Sequence, residues 1–245
     1  MTHAQSAIRI ETLAYKHDAV ECQGTLVYDG ASSGRRPGVL VAPTFWGLDA
    51  GARRKSVQLA RLGYAVLALD LYGEGRVAAD RDEAARLMQG LAADPQFLRA
   101  RALAGLKALR YQRLVDGARL GAVGYCFGGQ VVLELARAGA ELRGVVAFHG
   151  LLAALGSTPA AALTAKVLVL HGADDPLVPP AEAEAFRAEM RAAQADWQMV
   201  YYGGAVHGFT NPDAGADPKS GIAYDEPADQ RSSQAMKSFF EETLG

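Results

Sequence analysis

Three residue types that together could perform covalent catalysis occur in order along the chain, each beside glycine or a turn. They are Cys126 in the stretch Gly-Tyr-Cys-Phe-Gly (124–128), Asp175 in His-Gly-Ala-Asp-Asp-Pro-Leu-Val-Pro (171–179) and His207 in Gly-Gly-Ala-Val-His-Gly-Phe (203–209). A thiolate can attack a carbonyl carbon, a histidine can exchange protons with it, and a carboxylate can orient that histidine. The combination predicts acyl transfer to a cysteine followed by hydrolysis.

The surroundings of Cys126 have the form G-x-S-x-G with sulfur in place of oxygen. They follow an apolar strand pattern and precede a helical one, which is the context of a sharp strand-to-helix turn that exposes a nucleophile. The positive end of the following helix favours thiolate over thiol. A glycine-flanked cysteine alone is equally typical of a buried core residue, so the prediction depends on the acid and the histidine downstream.

Two neighbouring carboxylates compete for the acid position. Asp174 and Asp175 both follow the strand pattern at 166–172, and both precede a proline. The residue that does not contact the histidine would cap the loop.

The elements that must position these residues alternate regularly. A hairpin is predicted at the N-terminus, with strands at 7–15 and 20–29 and a turn at His17 and Asp18. The predicted strands then fall at 38–42, 65–70, 119–125, 143–150, 166–172 and 197–204. The predicted helices fall at 50–62, 80–92, 95–112, 128–139, 180–194 and 227–242.

This order predicts one α/β domain over residues 1–245, with a mostly parallel sheet of about eight strands and helices on both faces. The candidate residues lie just past different strands. Because the carboxyl ends of parallel strands meet at one edge of the sheet, they can converge there.

Composition narrows the function further. The chain has 245 residues, 50% of them hydrophobic, and a formal net charge of −2, which is not typical of nucleic-acid binding. It contains no apolar run of signal-peptide or membrane-spanning length, so we expect a soluble, cytoplasmic protein. Two cysteines make no disulfide framework, and the histidines show no metal-ligand spacing, so no cofactor or metal is expected.

From about Gly38 onward the chain resembles the dienelactone hydrolases, the cysteine branch of the α/β-hydrolase fold. The resemblance rests on Gly-Tyr-Cys-Phe-Gly-Gly (124–129), Leu-Ala-Leu-Asp-Leu-Tyr-Gly (67–73), the Asp-Pro-x-Val-Pro loop and the stretch around His207. It implies a Cys126, His207, Asp175 triad that hydrolyses small esters or lactones. It also implies backbone N–H donors to the oxyanion at Phe127 and Phe45.

Two positions depart from the better-known members of that family. Thr44 stands where they carry a glutamate that helps control the resting thiol, so we expect Cys126 to pair more directly with His207. Asn211 stands where they carry one of two arginines that bind a substrate carboxylate, and Arg81 aligns with the other. The remaining candidates for the substrate pocket are aromatic, Trp46 and Tyr72.

Several alternatives stay open at this point. Cys126 could serve a non-hydrolytic thiol protein, such as a redox sensor or a binding module, on the same fold. The substrate could be a different ester class or a thioester. A dinucleotide loop at 121–128 is disfavoured, since the next predicted strand ends in Phe-His-Gly rather than an acid. His149 is interpreted as a supporting or structural residue, and the loop at 203–227 as a lid or a partner contact.

Overall fold

The computed structural model describes residues 7–156 and 163–245. The strands are β1 (Ile8–His17), β2 (Val20–Asp29), β3 (Arg36–Ala42), β4 (Ala65–Ala68), β5 (Val115–Tyr125), β6 (Gly144–Phe148), β7 (Lys166–Gly172) and β8 (Trp197–Tyr202). The helices are α1 (Ala50–Arg61), α2 (Arg81–Ala92), α3 (Pro95–Arg110), α4 (Phe127–Arg137), α5 (Pro180–Ala192) and α6 (Glu226–Leu244).

Within the described residues the eight strands are hydrogen-bonded in the order β1-β2-β4-β3-β5-β6-β7-β8. β1 and β2 form an antiparallel hairpin, β2 pairs antiparallel with β4, and the β3–β4, β6–β7 and β7–β8 pairs are parallel. Every residue of β6 is buried, so both faces of that strand are covered. The predicted mostly parallel α/β sheet with an N-terminal hairpin is therefore confirmed.

The chain divides into two compact units, Met1–Ala122 and Val123–Gly245. The first unit holds the hairpin, β3, β4 and helices α1 to α3. The hairpin turns at Asp18, whose φ is 53°, and α1 ends as expected before Gly63, whose φ is 96°. The prediction of one domain stays a prediction.

The second unit holds β6, β7, β8 and helices α4 to α6, and β5 ends in it. Helix α4 is buried along its whole length. Its polar side chains are paired inside the fold, since Gln130 donates to Ala153 O at 2.8 Å and Arg137 pairs with Glu134 at 3.0 Å and with Glu189 at 2.8 Å. All three residues of the predicted triad belong to this unit.

The largest difference from the predicted element boundaries is at the start of β5, and the other boundaries agree within about two residues. β5 begins at Val115 rather than 119. The polar residues Asp116 and Arg119 interrupt the apolar strand pattern in the sequence, but in the strand they pair with each other at 2.8 Å. The loop predicted at 203–227 contains two short 3₁₀ turns, Pro212–Ala214 and Pro218–Ser220. Among the described residues no helix combines the length and the apolar character that crossing a membrane needs.

Candidate active site

Cys126 lies alone between the end of β5 and the start of α4. Its φ of 55° and ψ of −121° are unusual for a residue with a side chain, as expected at a strained turn. The backbone there is fixed on both sides, since Cys126 N–H donates to Phe148 O at 3.1 Å and Cys126 O accepts from Gly129 N–H at 2.9 Å. The thiol is partly exposed.

The glycines beside Cys126 allow a close approach that no larger residue would permit. A Cβ on Gly124 would lie 1.9 Å from Gly128 O, and one on Gly129 would lie 2.6 Å from the Cα of Gly150. In both cases the added Cβ would clash with a backbone atom, which cannot move aside as a side chain could. The glycine pairs therefore serve the geometry of the turn.

The backbone N–H of Phe127 is suited to stabilise an oxyanion. Phe127 is the first residue of α4, and the first N–H groups of a helix have no partner within the helix. The partial positive charge of the helix N-terminus lies at the same point. The predicted donor thus follows Cys126 directly in the chain, and helix α4, which begins at Phe127, sets the direction of its N–H.

The structure brings Asp175 and His207 together. The Nδ1 of His207 lies 2.8 Å from Asp175 Oδ2, and both side chains are buried. The other carboxylate oxygen accepts the N–H of Leu177 at 2.9 Å, which fixes the carboxylate plane. Asp174 is exposed. Of the two candidate acids, Asp175 is the one in contact with the histidine.

The backbone of His207 is held by the segment that follows the second 3₁₀ turn. Its N–H donates to Gly221 O at 3.2 Å, and its carbonyl accepts from Ala223 N–H at 3.1 Å. These bonds flank a single parallel bridge between His207 and Ile222. The loop at 203–227 therefore has at least one definite role, which is to fix His207.

The electrostatics of His207 favour its protonated form. Burial acts against the charged ring, but Asp175 and Cys126 outweigh it and raise the pKa of His207 to about 10. The Nε2 atom is buried, and among the described residues no group forms a well-aligned hydrogen bond with it. Because Nδ1 is held by Asp175, Nε2 is the ring atom left to exchange a proton with the thiol.

A second histidine packs against the first. The rings of His149 and His207 meet edge to face with centroids 5.3 Å apart, and His149 Nε2 lies 3.0 Å from Thr210 Oγ1. His149 agrees in position with its expected supporting role. No local pattern singles out Thr210 in the sequence, although a hydroxyl three residues after a candidate histidine is a signal that could have found it.

His171 occupies the end of β7 without joining the pair. Its ring meets Tyr201 edge to face at 5.4 Å, and burial lowers the pKa of this imidazole. Its Nδ1 is buried without a hydrogen-bond partner in the described part of the chain. It is therefore a packed, uncharged ring.

The remaining predicted pocket residues lie mostly in the first unit, in the loop after β3 and the loop after β4. Thr44 Oγ1 accepts the N–H of Trp46 at 3.4 Å, and the Phe45 and Trp46 rings pack at 5.0 Å. The hydroxyl of Tyr72 donates to Phe45 O at 2.7 Å. Tyr72 thus fixes the backbone of the loop that carries the predicted Phe45 donor.

Arg81 and Asn211, the two positions considered for carboxylate binding, are both exposed. Arg81 is the first residue of α2. Asn211 uses its side chain locally, since its Oδ1 accepts the N–H of Asp213 at 3.1 Å and caps the first 3₁₀ turn. No cluster of three or more His, Cys, Asp or Glu that could hold a metal occurs in residues 7–156 and 163–245.

The sheet and the order of cysteine, aspartate and histidine, which follow β5, β7 and β8, define the α/β-hydrolase class. Residues 24–244 match the Dienelactone hydrolase family, and the chain belongs to that family. It is a hydrolase that acts on ester or lactone bonds.

Relatives support the assignment. The chain is 42% identical to the crystal structure of a dienelactone hydrolase-like promiscuous phosphotriesterase, P91, from metagenomic libraries; the match covers 98% of this chain and 100% of that one with a TM-score of 0.91. It is 31% identical to a Salmonella typhimurium protein named "Putative carboxymethylenebutenolidase", over 73% of this chain and 70% of that one. A Caenorhabditis elegans protein without a described function is 37% identical over 60% of this chain and 94% of its own length.

Proposed function

We propose that this protein hydrolyses small esters or lactones through a Cys126 nucleophile, with His207 as the proton carrier and Asp175 as its partner. The observation that carries the proposal is the 2.8 Å contact between Asp175 and His207 Nδ1, which leaves Nε2 for the thiol. The raised pKa of His207 supports a resting pair of thiolate and imidazolium. The neutral Thr44 fits this direct pairing, because no carboxylate from that position competes for the thiol.

Acylation then needs one proton transfer to the substrate. The Sγ of Cys126 attacks the carbonyl carbon, and the pair of electrons in the C=O π bond moves to oxygen. When the oxyanion collapses, the bond to the alcohol oxygen breaks and His207 gives that oxygen its Nε2 proton. The products of this half are an acyl-thioenzyme and an alcohol, which in a lactone stays attached to the acyl chain.

Deacylation returns the enzyme to its starting state. Neutral His207 takes a proton from water, and the resulting hydroxide attacks the thioester carbon. The carbon–sulfur bond breaks, the carboxylic acid leaves and the thiolate re-forms beside the imidazolium. Asp175 stabilises the charged ring at the resting stage and keeps Nε2 directed outward in both halves.

The oxyanion is stabilised by backbone donors. The N–H of Phe127 at the start of α4 is the first, and the family resemblance assigns the second to Phe45. The family resemblance is also the reason to propose that Thr44, Trp46 and Tyr72 contact the substrate. The location in the cytoplasm expected from the sequence stays a prediction.

Phosphotriester cleavage is a second candidate activity. The reason is the 42% identity to P91, whose description names that activity, over nearly the whole of both chains. An activated phosphotriester such as a nitrophenyl dialkyl phosphate is the appropriate probe. We expect slower turnover of it than of a nitrophenyl carboxylic ester.

The decisive experiment compares the wild type with Cys126→Ser on nitrophenyl acetate and on a neutral lactone. We expect burst release of nitrophenol by the wild type and a mass increase of one acetyl group on the peptide that contains Cys126. Equal activity of the two proteins, or acylation elsewhere, would overturn the proposal. A wild type that fails to hydrolyse esters but forms a sulfenic acid on Cys126 with dilute peroxide would favour the redox-sensor alternative.

A further inference from the structure

The backbone of His149 is held in an unusual position between two catalytic elements. Its φ is 36°, in the left-handed region that residues with side chains rarely adopt. The preceding carbonyl, of Phe148, accepts the N–H of Cys126 at 3.1 Å, and the N–H of His149 itself donates to Leu170 O at 2.8 Å. The end of β6 is therefore tied to the nucleophile turn and to β7, the strand that leads to Asp175.

The side chain of His149 makes its nearest ring contacts with one short segment, residues 207–210, while the ring of Tyr125 lies farther away, at 6.1 Å. The His149 ring lies 5.3 Å from the ring of His207 at an interplanar angle of 67°, and 5.2 Å from that of Phe209 at 80°. Its Nε2 lies 3.0 Å from Thr210 Oγ1. With 2% of its surface exposed, His149 contacts three of the four residues of the segment that carries the proton carrier.

We propose that His149 is a positioning residue for the hydrolytic reaction: its ring and its hydrogen bond to Thr210 hold the imidazole of His207 in the orientation that presents Nε2 to Cys126. The proposal rests on the proposed function. His149 would thus orient the ring of His207, which the hydrogen bond to Asp175 does not do by itself.

The physical need for such a residue follows from the way His207 is held. The contact with Asp175 fixes Nδ1, but one hydrogen bond leaves the ring free to tilt about that point. An edge-to-face neighbour restricts this tilt, because aromatic pairs favour this geometry over others. Misplacement of a reacting group by about 1 Å costs roughly 100-fold in rate, so a small tilt matters.

The proton equilibrium at His207 depends on groups from three elements. Asp175 faces it from the loop after β7 and Cys126 from the turn before α4, while His149 packs on it from the end of β6. A fourth titratable group, the ring of His171 in β7, lies nearby, but burial lowers its pKa and keeps it uncharged. A change at His149 should therefore alter the protonation of the Cys126–His207 pair, whereas a purely structural residue would alter stability only.

The test uses three variants of the full chain. His149→Asn removes the ring but tolerates a positive φ, His149→Phe keeps a ring and deletes Nε2, and Thr210→Val deletes the hydroxyl with little change in shape. The readouts are kcat and KM on nitrophenyl acetate and the pH dependence of Cys126 alkylation by iodoacetamide. We expect kcat to fall roughly 10- to 100-fold in His149→Asn and less in the other two, with KM changed by less than about threefold.

The two milder variants form a cycle. If the hydrogen bond is what matters, His149→Phe combined with Thr210→Val should lose no more activity than either alone. In all three variants alkylation should require more alkaline pH than in the wild type. His171→Phe, which removes another buried imidazole at the end of a neighbouring strand, is the matched control and should shift Tm without moving the alkylation profile.

Failure of this inference is distinct from failure of the proposed function. Wild-type rates and alkylation profiles in soluble Thr210→Val and His149→Asn, at a lowered Tm, would reduce His149 to a structural residue while leaving the triad intact. A wild-type protein that shows no Cys126-dependent ester hydrolysis would overturn the proposed function. The alkylation profiles, which need no turnover, would still decide whether His149 acts on the pair.

Discussion

Each compact unit contains one of the two cysteines together with a histidine and an aspartate, but the two groups differ in the atoms that they leave unpaired and accessible. In the first unit Asp70 accepts the N–H groups of Gln23, Gly73 and Gly75 at 2.7–2.8 Å. Arg101 donates to the Nδ1 of His17 at 2.9 Å. The hydrogen bonds of Asp70 and Arg101 are therefore made to neighbouring backbone and side-chain groups of the first unit.

In the second unit the same residue types divide their bonds differently. Asp175 gives one oxygen to the backbone and the other to His207, whose Nε2 has no well-aligned partner within the described residues. Cys126 lies partly exposed at a helix start, whereas Cys22 is fully buried, and burial raises the pKa of its thiol. The comparison teaches that reactivity depends on which atoms remain unpaired and accessible, rather than on residue composition.

The largest expected difference between the units is at the two cysteines. Cys126→Ala should lower kcat/KM for nitrophenyl acetate by about 10⁴-fold or more, since it removes the nucleophile. Cys22→Ala should keep kcat/KM within about twofold and cost roughly 1 kcal/mol of unfolding free energy. Ester kinetics and urea titrations measure both.

The same pair can be compared without substrate. One equivalent of iodoacetamide should label Cys126 in the native protein at pH 7, and Cys22 only after denaturation. Rapid native labelling of Cys22, or activity that survives in Cys126→Ala, would remove the distinction between the two units.

The aspartates give the next largest contrast. Asp175→Asn should lower kcat by roughly 10²–10⁴-fold, because the amide cannot stabilise the imidazolium or fix its tautomer. Asp70→Asn presents an NH₂ group to backbone donors and should cost about 1–3 kcal/mol of stability, with kcat per folded molecule near that of the wild type. Similar kcat losses in both variants would show that the first-unit cluster also supports the chemistry.

The elements that carry the second-unit candidate residues could be predicted from the sequence because each of them has a local pattern. The glycines around Cys126 are required by backbone contacts below 3 Å, so they leave a mark in the sequence. β6 and β7 are buried on both faces and read as continuous apolar runs. The residues alone left Asp174 and Asp175 open, and only the family resemblance favoured Asp175, since one residue of register decides which carboxylate turns inward.

The first-unit cluster was not foreseen, for a physical reason. Arg101 lies on a helix and His17 at the hairpin turn, 84 residues apart in sequence, and neither position has a local pattern. The 3.0 Å contact between His149 and Thr210 joins residues 61 apart in the same way. Long-range side-chain bonds of this kind depend on packing, which periodicity does not encode.

A smaller effect is expected in the pH dependence of stability. The pKa of His207 is raised to about 10 in the fold, against 6.5 for a free imidazole, so between these values the folded chain holds a proton that the unfolded chain releases. Its contribution is complete below about pH 6.5 and is lost as pH rises through about 10. For His171, whose pKa burial lowers, the sign is opposite: its contribution is present above about pH 6.5 and is lost as pH falls through its folded pKa.

Urea titrations from pH 5 to 10 can separate the two histidines. In the proposed thiolate–imidazolium pair the proton on His207 is one that Cys126 has released, so the unfolding free energy of the wild type should decline mainly above the pKa of a free thiol, about 8.5, with a slope of up to about 1.4 kcal/mol per pH unit, and His207→Gln should flatten this decline. His171→Phe should instead flatten the fall below pH 6.5. An unchanged alkaline slope in His207→Gln would contradict the charged pairing of His207.

The smallest expected effect concerns Arg81, the candidate through which the first unit would bind a charged substrate. Arg81 is exposed at the start of α2, and Asn211, at the position of the second arginine, is neutral and caps a turn. Arginine–carboxylate pairs are strong where they are shielded from water, and a single exposed guanidinium is not. Exposed ion pairs contribute about 0–1 kcal/mol. We therefore expect Arg81→Ala to lower kcat/KM for a carboxylate-bearing lactone by less than about fivefold, and to leave a neutral lactone unchanged. A carboxylate-bearing lactone that is hydrolysed much faster than the neutral one, with that advantage lost in Arg81→Ala, would contradict this expectation and make Arg81 a determinant of substrate charge.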